Sequence, residues 1–380
     1  MKRLLKFVNS VIAKFNIEFI YFHNHRISYQ FLQYSYIKYF LLPRKKKLSF
    51  IIYSNNFANS YLHDYQLDFF KKNKYYLLKS NFLSKIIVKL IDKYELSCFI
   101  KSDSLTNSYF HKRDKKEFLF DIKIDNTSED FKRFINKDFI CFMTRDEAYL
   151  KKQFPKIDWT YHSYRNSDPN IMYKCIQNLI NQNINCLRAG TIYEHDFEFK
   201  SENYLDYADM YRTPKFDFLI SRLCKLFICD TSGIIYFPLS QQSNILRYNC
   251  NIFDLFKPFN NTISIPILYK NKSTNKYIPF NQCIKNKIYL LNTTNLINNS
   301  NIEVEFNSSK IITKAALESI DYGCNFINND HKILNNQFYR VFDDIDYIAF
   351  HNSRQRYSLD DKCILPYSFL KEYRYLYEDI

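Results

Sequence analysis

Three arginines and one hydroxyl-rich turn are the groups in this chain whose types and positions could do chemistry. Arg145 follows the apolar run FICFM, Arg188 closes NINCLR, and Arg165 stands in YRNSDPN just ahead of a helical pattern. Guanidinium groups at the mouths of parallel strands can grip a diphosphate bidentately. The same three could instead form surface ion pairs with Asp146, Asp168 and Glu194, which contribute little. With only three glycines in 380 residues, the places where they fall are informative. Gly190 ends a strand pattern two residues after Arg188, and Gly233 follows Thr231-Ser232 at a strand-to-helix turn. A helix N-terminus there offers backbone N–H groups and a positive dipole end to a phosphate, with two hydroxyls beside it. The plainer alternative is a tight turn at Gly233 with Ser232 capping the helix, and the sequence leaves both open.

Two further candidates are weaker. His63 and Asp64 follow the loop SNNFANSYL and could supply a catalytic base, or simply be exposed residues of a helix. Asp344-Ile345-Asp346 has the D-x-D form of a metal-binding pair. It lies near the C-terminus and not after a nucleotide-binding strand in the first half, so it reads as a solvated acidic turn, and no metal site is expected.

Short apolar runs alternating with helical patterns must position these groups. LSFIIYS (48–54), KYYLL (74–78) and SCFIK (97–101) read as strands, with helices over 60–72 and 84–94 between them. A second series runs through DFICFMTR (138–145), a helix opening on Asp168-Pro169, NINCLRAG (183–190), a helix over 216–224, KLFICD (225–230), a helix begun by 231–239, and NILRYN (244–249). Strands separated by helices imply βαβ units and parallel sheets, so the expected class is α/β with two doubly wound, Rossmann-type domains. Ahead of them, Leu4, Leu5, Val8, Val11, Ile12 and Phe15 form an apolar stripe with lysines off it, and the basic run Arg44 to Lys47 follows. That pattern fits a helix packed on its own domain or an interfacial anchor on acidic lipid.

Composition excludes several classes. At 46% hydrophobic and 24% charged, the chain can bury a core, and disorder throughout is excluded. A net charge of +15 favours anionic partners, but no paired Cys/His spacing or RNP-like stretch marks a nucleic-acid binder. The ten cysteines form no C-x-x-C pair and several sit in apolar runs, which suits buried free thiols in a reducing compartment better than zinc or disulfides. No stretch of about 18 uninterrupted apolar residues could span a membrane, and no signal-peptide pattern opens the chain. A cytoplasmic location is expected, with peripheral attachment to the inner membrane if the N-terminal stripe is an anchor.

The ordered set FICFMTRDEAYL, YRNSDPN, CLRAG, DYA, CDTSG and KYIPFNQCI, with SFLKEYRYL at the end, resembles a family of bacterial glycosyltransferases associated with surface-polysaccharide clusters and distantly similar to fucosyltransferases. The family pattern reads H-V-R-D-x-A-Y-L, R-N-S-D, R-x-G, D-Y-A and T-S-G. The resemblance implies a GT-B fold, in which two Rossmann-type domains face each other across a cleft. It further implies metal-independent sugar transfer, without a cofactor, from a nucleotide-diphosphate sugar to a polysaccharide or lipid-linked glycan. It places Arg145, Arg165, Arg188, Gly190 and Thr231-Ser232-Gly233 around the donor, with Asp168, Asn170 and Asp206 orienting ribose, base or arginine. Two positions depart from it: Met143 stands where the family has a histidine, and Asn56-Phe57 replace an early glycine-histidine pair. The departures open a second reading, a nucleotide- or saccharide-binding relative that has lost turnover; a basic nucleic-acid-binding protein is the third. The expected divisions are an N-terminal segment 1–47, an acceptor-side domain 48–136, a donor domain 137–325 and an extension 326–380.

Overall fold

The computed structural model describes residues 14, 17–22, 26–44, 48–54, 57–80, 99–100, 120, 122–124, 127–256, 261–291, 293–343, 348–349, 356–357 and 362–378. The chain divides into two compact units, Met1–Asp114 and Lys115–Ile380. The expected α/β class, with parallel sheets, holds in both.

In the first unit, strands β1 (Ile17–Phe22), β2 (Leu48–Tyr53), β3 (Tyr76–Lys79) and β4 (Phe99–Ile100) form a parallel sheet in the order β3-β2-β1-β4. Residues of β1 alternate half-buried and buried; Ile20 is buried in register with Ile51 of β2, while Ile52 is buried on the opposite face. The helices Ile27–Tyr36 and Ser60–Lys72 are stitched together by a reciprocal pair: Gln30 Nε2 donates to the Asn59 carbonyl at 3.0 Å, and Asn59 N–H donates to Gln30 Oε1 at 3.2 Å. Asn59 also caps the second helix by accepting from Leu62 N–H. A buried polar pair of this kind fixes the relative placement of two helices, because unmaking it strands desolvated groups.

This corrects one expectation. Residues 17–44, assigned above to a segment preceding the first domain, include a central strand of its sheet and the helix that packs beside it. The misreading has a physical source. Glu18 breaks the apolar look of IEFIYF, yet it is buried and bonded to the Ser49 hydroxyl at 2.5 Å. The apolar stripe over residues 4–12 and the helix expected at 84–94 lie outside the described residues. So does the Asp344–Asp346 pair.

In the second unit, six parallel strands run in the order β10-β9-β8-β5-β6-β7: β5 (Phe139–Met143), β6 (Asn185–Arg188), β7 (Tyr204–Asp206), β8 (Leu226–Cys229), β9 (Ile245–Cys250) and β10 (Thr262–Pro266). Counted from β5, this is the 3-2-1-4-5-6 order of a doubly wound dinucleotide-binding sheet. The central strands β5 (FICFM) and β8 (LFIC) are continuous apolar runs because both faces are covered. Helix Pro169–Ile180 follows β5, while Phe216–Leu223 and the short Tyr236–Ser240 flank β8. Right-handed crossovers put the β5-to-β6 and β8-to-β9 connections on opposite faces, since they travel in opposite directions along the sheet. Met172, Ile176 and Leu179 accordingly share a core with Ile311, Ile312 and Ala315 of helix Ser309–Tyr322, whereas Phe218 packs edge-on against Phe237 at 4.9 Å.

Helix Glu129–Ile135, which precedes the boundary expected at 136/137, belongs to the second unit: Phe131 stacks on Tyr207, Tyr211 and Phe216. Residues after 325 pack into it as well, with Tyr339 edge-on to Phe256 at 5.7 Å and Leu334 and Phe338 in the same core. A three-stranded antiparallel sheet, β12-β11-β13 (β11 Leu268–Asn271, β12 Lys276–Tyr277, β13 Ile302–Glu305), is appended to this unit. The described cysteines Cys141, Cys175, Cys186, Cys224, Cys229, Cys250, Cys283, Cys324 and Cys363 are buried and free of disulfides. Among the described residues no helix is long and apolar enough to cross a membrane.

Candidate functional site

The order of the second sheet reverses between β5 and β8. At such a switch point the connections leave in opposite directions and open a crevice beyond the carboxyl ends of the two strands. Arg145 follows β5, and Asp230-Thr231-Ser232-Gly233 follows β8. The pairing of Met143 with Cys229 brings the two exits side by side.

Asp230 is the hub. It has no exposed surface, and its Oδ2 accepts from the Arg145 backbone N–H at 2.6 Å and from the Ser167 hydroxyl at 3.0 Å. Ser167 in turn accepts from Asn249 Nδ2 at 3.0 Å, at the end of β9. Asn249 and Asn307 exchange backbone-to-side-chain bonds at 2.7 and 2.8 Å, and Asn307 donates to the Pro266 carbonyl at 2.9 Å. A buried chain therefore ties the exits of β5, β8, β9 and β10. Burial pushes the Asp230 carboxyl up to about 6, opposed by the Arg145 N–H and by the positive charges of Arg145 and Arg165.

Arg165 ends the 3₁₀ turn Thr160–Arg165 and reaches across to β8: its Nη2 donates to the Thr231 carbonyl and its Nε to the Thr231 hydroxyl at 3.4 Å. The arginine and the T-S-G turn, distant in sequence, are thus neighbours. Arg145 is mostly buried and its Nε donates to Asn166 Oδ1 at 3.3 Å. Asn166 in turn donates to Glu147 Oε1 at 2.9 Å.

Arg188 is placed differently. It lies under the Tyr193 ring, with its guanidinium carbon 3.4 Å from the ring centroid, and pairs with Asp206 Oδ2 at 3.0 Å. Its other terminal nitrogen donates to the His195 carbonyl at 2.5 Å. These buried contacts engage both of its terminal nitrogens, so Arg188 organises the loop after β6. Its partner Asp206 also caps the turn at Asp209 and accepts from Tyr204 at 3.2 Å. The alternative of surface ion pairs with Asp146 and Glu194 does not describe it: Asp146 accepts instead from the Ala148 and Glu194 backbones.

Asp168 accepts from Asn170 N–H at 2.9 Å as the cap of helix Pro169–Ile180, and both residues are exposed. Gly190 holds φ +132°, a conformation L side chains rarely adopt, and a Cβ there would meet Met143 at 4.0 Å. Gly233 is not in the left-handed region; it begins a 3₁₀ turn, and Ser232 makes no side-chain cap to it. The Ser232 hydroxyl donates to Met143 Sδ at 3.6 Å. A cavity of about 100 Å³ opens between the β5 and β6 exits, lined by Arg145, Asp146, Asn166, Ser167, Arg188 and Gly190 among others.

In the first unit His63 is buried on the inner side of its helix, while Asp64, next along, is exposed. Phe57 stacks on the imidazole at 4.6 Å and Tyr53 lies 5.6 Å away. Burial lowers the His63 pKa, with Asp64 opposing. Asn56 lies outside the described residues.

Asp230, Ser167 and Asn249 escaped the sequence reading. Asp230 carried a usable signal: it is the first polar residue after LFIC, at a strand's carboxyl end and directly before T-S-G.

No family model matches the chain, and no curated protein matches it. Two solved structures are similar to it. One is the ADP-heptose LPS heptosyltransferase II of E. coli, at 10% identity and a TM-score of 0.39, covering 66% of this chain and 90% of that one. The other is a family 9 glycosyl transferase from Veillonella parvula, at 9% identity and a TM-score of 0.31, covering 80% of this chain and 97% of that one. Likeness at this level has no bearing on the chemistry of the site.

Proposed function

We propose that the second unit binds a nucleotide-diphosphate sugar at the β5–β8 switch point and that the protein transfers the sugar to a surface-polysaccharide or lipid-linked glycan acceptor. One observation carries this: Arg165, remote in sequence, lies against Thr231 at the exit of β8, beside Ser232 and Gly233, where a doubly wound sheet binds its ligand. As the bond from sugar to diphosphate breaks, negative charge grows on the leaving oxygens. Arg165, Arg145 and the Gly233 N–H would stabilise that charge without a metal or cofactor, the Ser232 N–H being held by the Asp230 carbonyl at 2.8 Å. Arg188, Gly190, Asp206, Asp168 and Asn170 are then residues that shape the loops at the strand ends. Titrating the protein with UDP, GDP, ADP and CDP tests the reading: one should bind, and Arg165→Ala should weaken it. Absence of binding to all four would remove its basis.

A second reading is favoured by Met143. In the resembled pattern a histidine stands there, and a thioether can neither take nor give a proton. Its bond from the Ser232 hydroxyl and its place with Gly190 in the cavity lining put Met143 at the mouth of the site. On this reading the protein binds a nucleotide sugar and does not turn it over. Sugar release or transfer by the purified protein decides between the two, and Met143→His should raise turnover if only the second is right.

A further inference from the structure

We infer that Asp230 is the positioning residue of the donor site, its carboxylate gathering the segments that carry Arg145 and Arg165 and holding them at the spacing a diphosphate needs. The inference rests on the nucleotide reading of that site. Two consecutive residues do the gathering. Asp230 Oδ2 takes the Arg145 N–H and the Ser167 hydroxyl, and Thr231 takes the Arg165 guanidinium. The Ser167 N–H donating to the Arg145 carbonyl at 3.3 Å closes the ring. One side chain thereby holds two segments of a binding surface from behind.

The arrangement is costly to the fold, which is what separates it from ordinary scaffolding. Asp230 is wholly buried, and among the described residues its Oδ1 has no hydrogen-bond partner. Facing it are Arg145 from the β5 exit, Arg165 from the 3₁₀ turn, Tyr248 from β9 and Cys229 on its own strand. Both arginines favour the charge, yet burial outweighs them and the carboxyl titrates at about 6. The sign of the linkage follows. A carboxyl whose folded pKa lies above its unfolded value of about 3.9 adds stability below that value and loses it as pH rises through the folded pKa. At neutral pH the fold therefore carries an ionised group that weakens it. A group kept in that state at a strand-end crevice is the signature of a functional demand, not a packing one.

The test follows Kd for the tightest-binding of UDP, GDP, ADP and CDP, and the melting temperature, between about pH 7.5 and pH 5.5, in the wild type, Asp230→Asn and Ser167→Ala. Asp230→Asn should bind about tenfold more weakly at the upper pH, as expected when a binding group is displaced. Its pH profile should follow the ligand's own titration, whereas wild-type affinity should fall more steeply below the carboxyl's pKa. Over the same window the wild-type melting temperature should rise relative to Asp230→Asn. Ser167→Ala removes a bond that favours the carboxylate, so the midpoint of the affinity profile should move to higher pH together with that of the melting-temperature profile. Coincident wild-type and Asp230→Asn profiles in both readouts would overturn the inference and leave the nucleotide reading intact. A wild type that binds none of the four, yet shows the melting-temperature gap, would overturn the nucleotide reading instead.

Discussion

The two units share a strand-order logic and differ in what they place at the strand ends. In the first, β3-β2-β1-β4 repeats the β7-β6-β5-β8 part of the second sheet's order, and the described groups near the β2 exit include an aromatic cluster: Tyr53, and Phe57 stacked on a buried His63. In the second, Arg145 and Asp230 at the exits of β5 and β8 are bonded to each other, and Arg188 and Asp206 at the ends of β6 and β7 form a second pair. Charged groups withdrawn from water need partners on several elements, so they fix the loops they link. An aromatic cluster excludes water and fixes less. The comparison teaches that similar sheet architecture leaves the chemistry to a few residues beyond the strand ends, and that among the described residues the bonded charged groups stand at the strand exits of the second unit.

The largest effect is expected from deleting residues 1–47. The cut removes β1, which lies between β2 and β4, so the first unit should lose its structure while the second retains its own; limited proteolysis reads the difference. A folded first unit after the deletion would break the comparison at its base. Next, Arg188→Ala leaves Asp206 without its cationic partner, held only by Tyr204 and the Asp209 N–H, and loss of a largely buried pair should cost about 3 kcal/mol in denaturant unfolding. A change under about 1 kcal/mol would mean that the pair behaves as a surface contact. Arg165→Ala should weaken nucleotide-diphosphate binding by about 2 kcal/mol with little loss of stability, since its guanidinium is bonded to Thr231 alone among the described residues.

The smallest effect sharpens the other side. Phe57→Ala uncovers His63, whose pKa should return towards about 6.5 in an NMR titration. Because burial depresses that pKa, His63 favours the fold above its unfolded value and the benefit is lost as pH falls through the folded value; the variant should lose less in acid. An unchanged titration would show that Phe57 is not what keeps the imidazole dry.

Much of the second unit was legible in the sequence. FICFM and LFIC read as buried parallel strands because both faces are covered, and Asp168-Pro169 announced its helix through cap and first turn. The strand at 17–22 was hidden by Glu18, whose partner Ser49 lies on the next strand and leaves no local trace. The expected strand at 74–78 begins later, at Tyr76, because Lys74 turns left-handed with φ 58°. Arg145, Arg165 and the T-S-G turn could be named from the sequence, but their meeting could not. It depends on β5 pairing with β8, residues 140 and 226, across two intervening strands. Asp230 was missed for the same reason: its role exists only once Arg145 and Ser167 arrive from elsewhere in the chain.

The central claim is that a nucleotide diphosphate sits at the β5–β8 switch point. A crystal structure of the protein with its tightest-binding nucleoside diphosphate tests it most directly. The account predicts diphosphate oxygens within hydrogen-bond reach of the Arg165 guanidinium and of the Gly233 N–H. A nucleotide bound elsewhere on the second unit, with Arg165 still engaged only by Thr231, would contradict it.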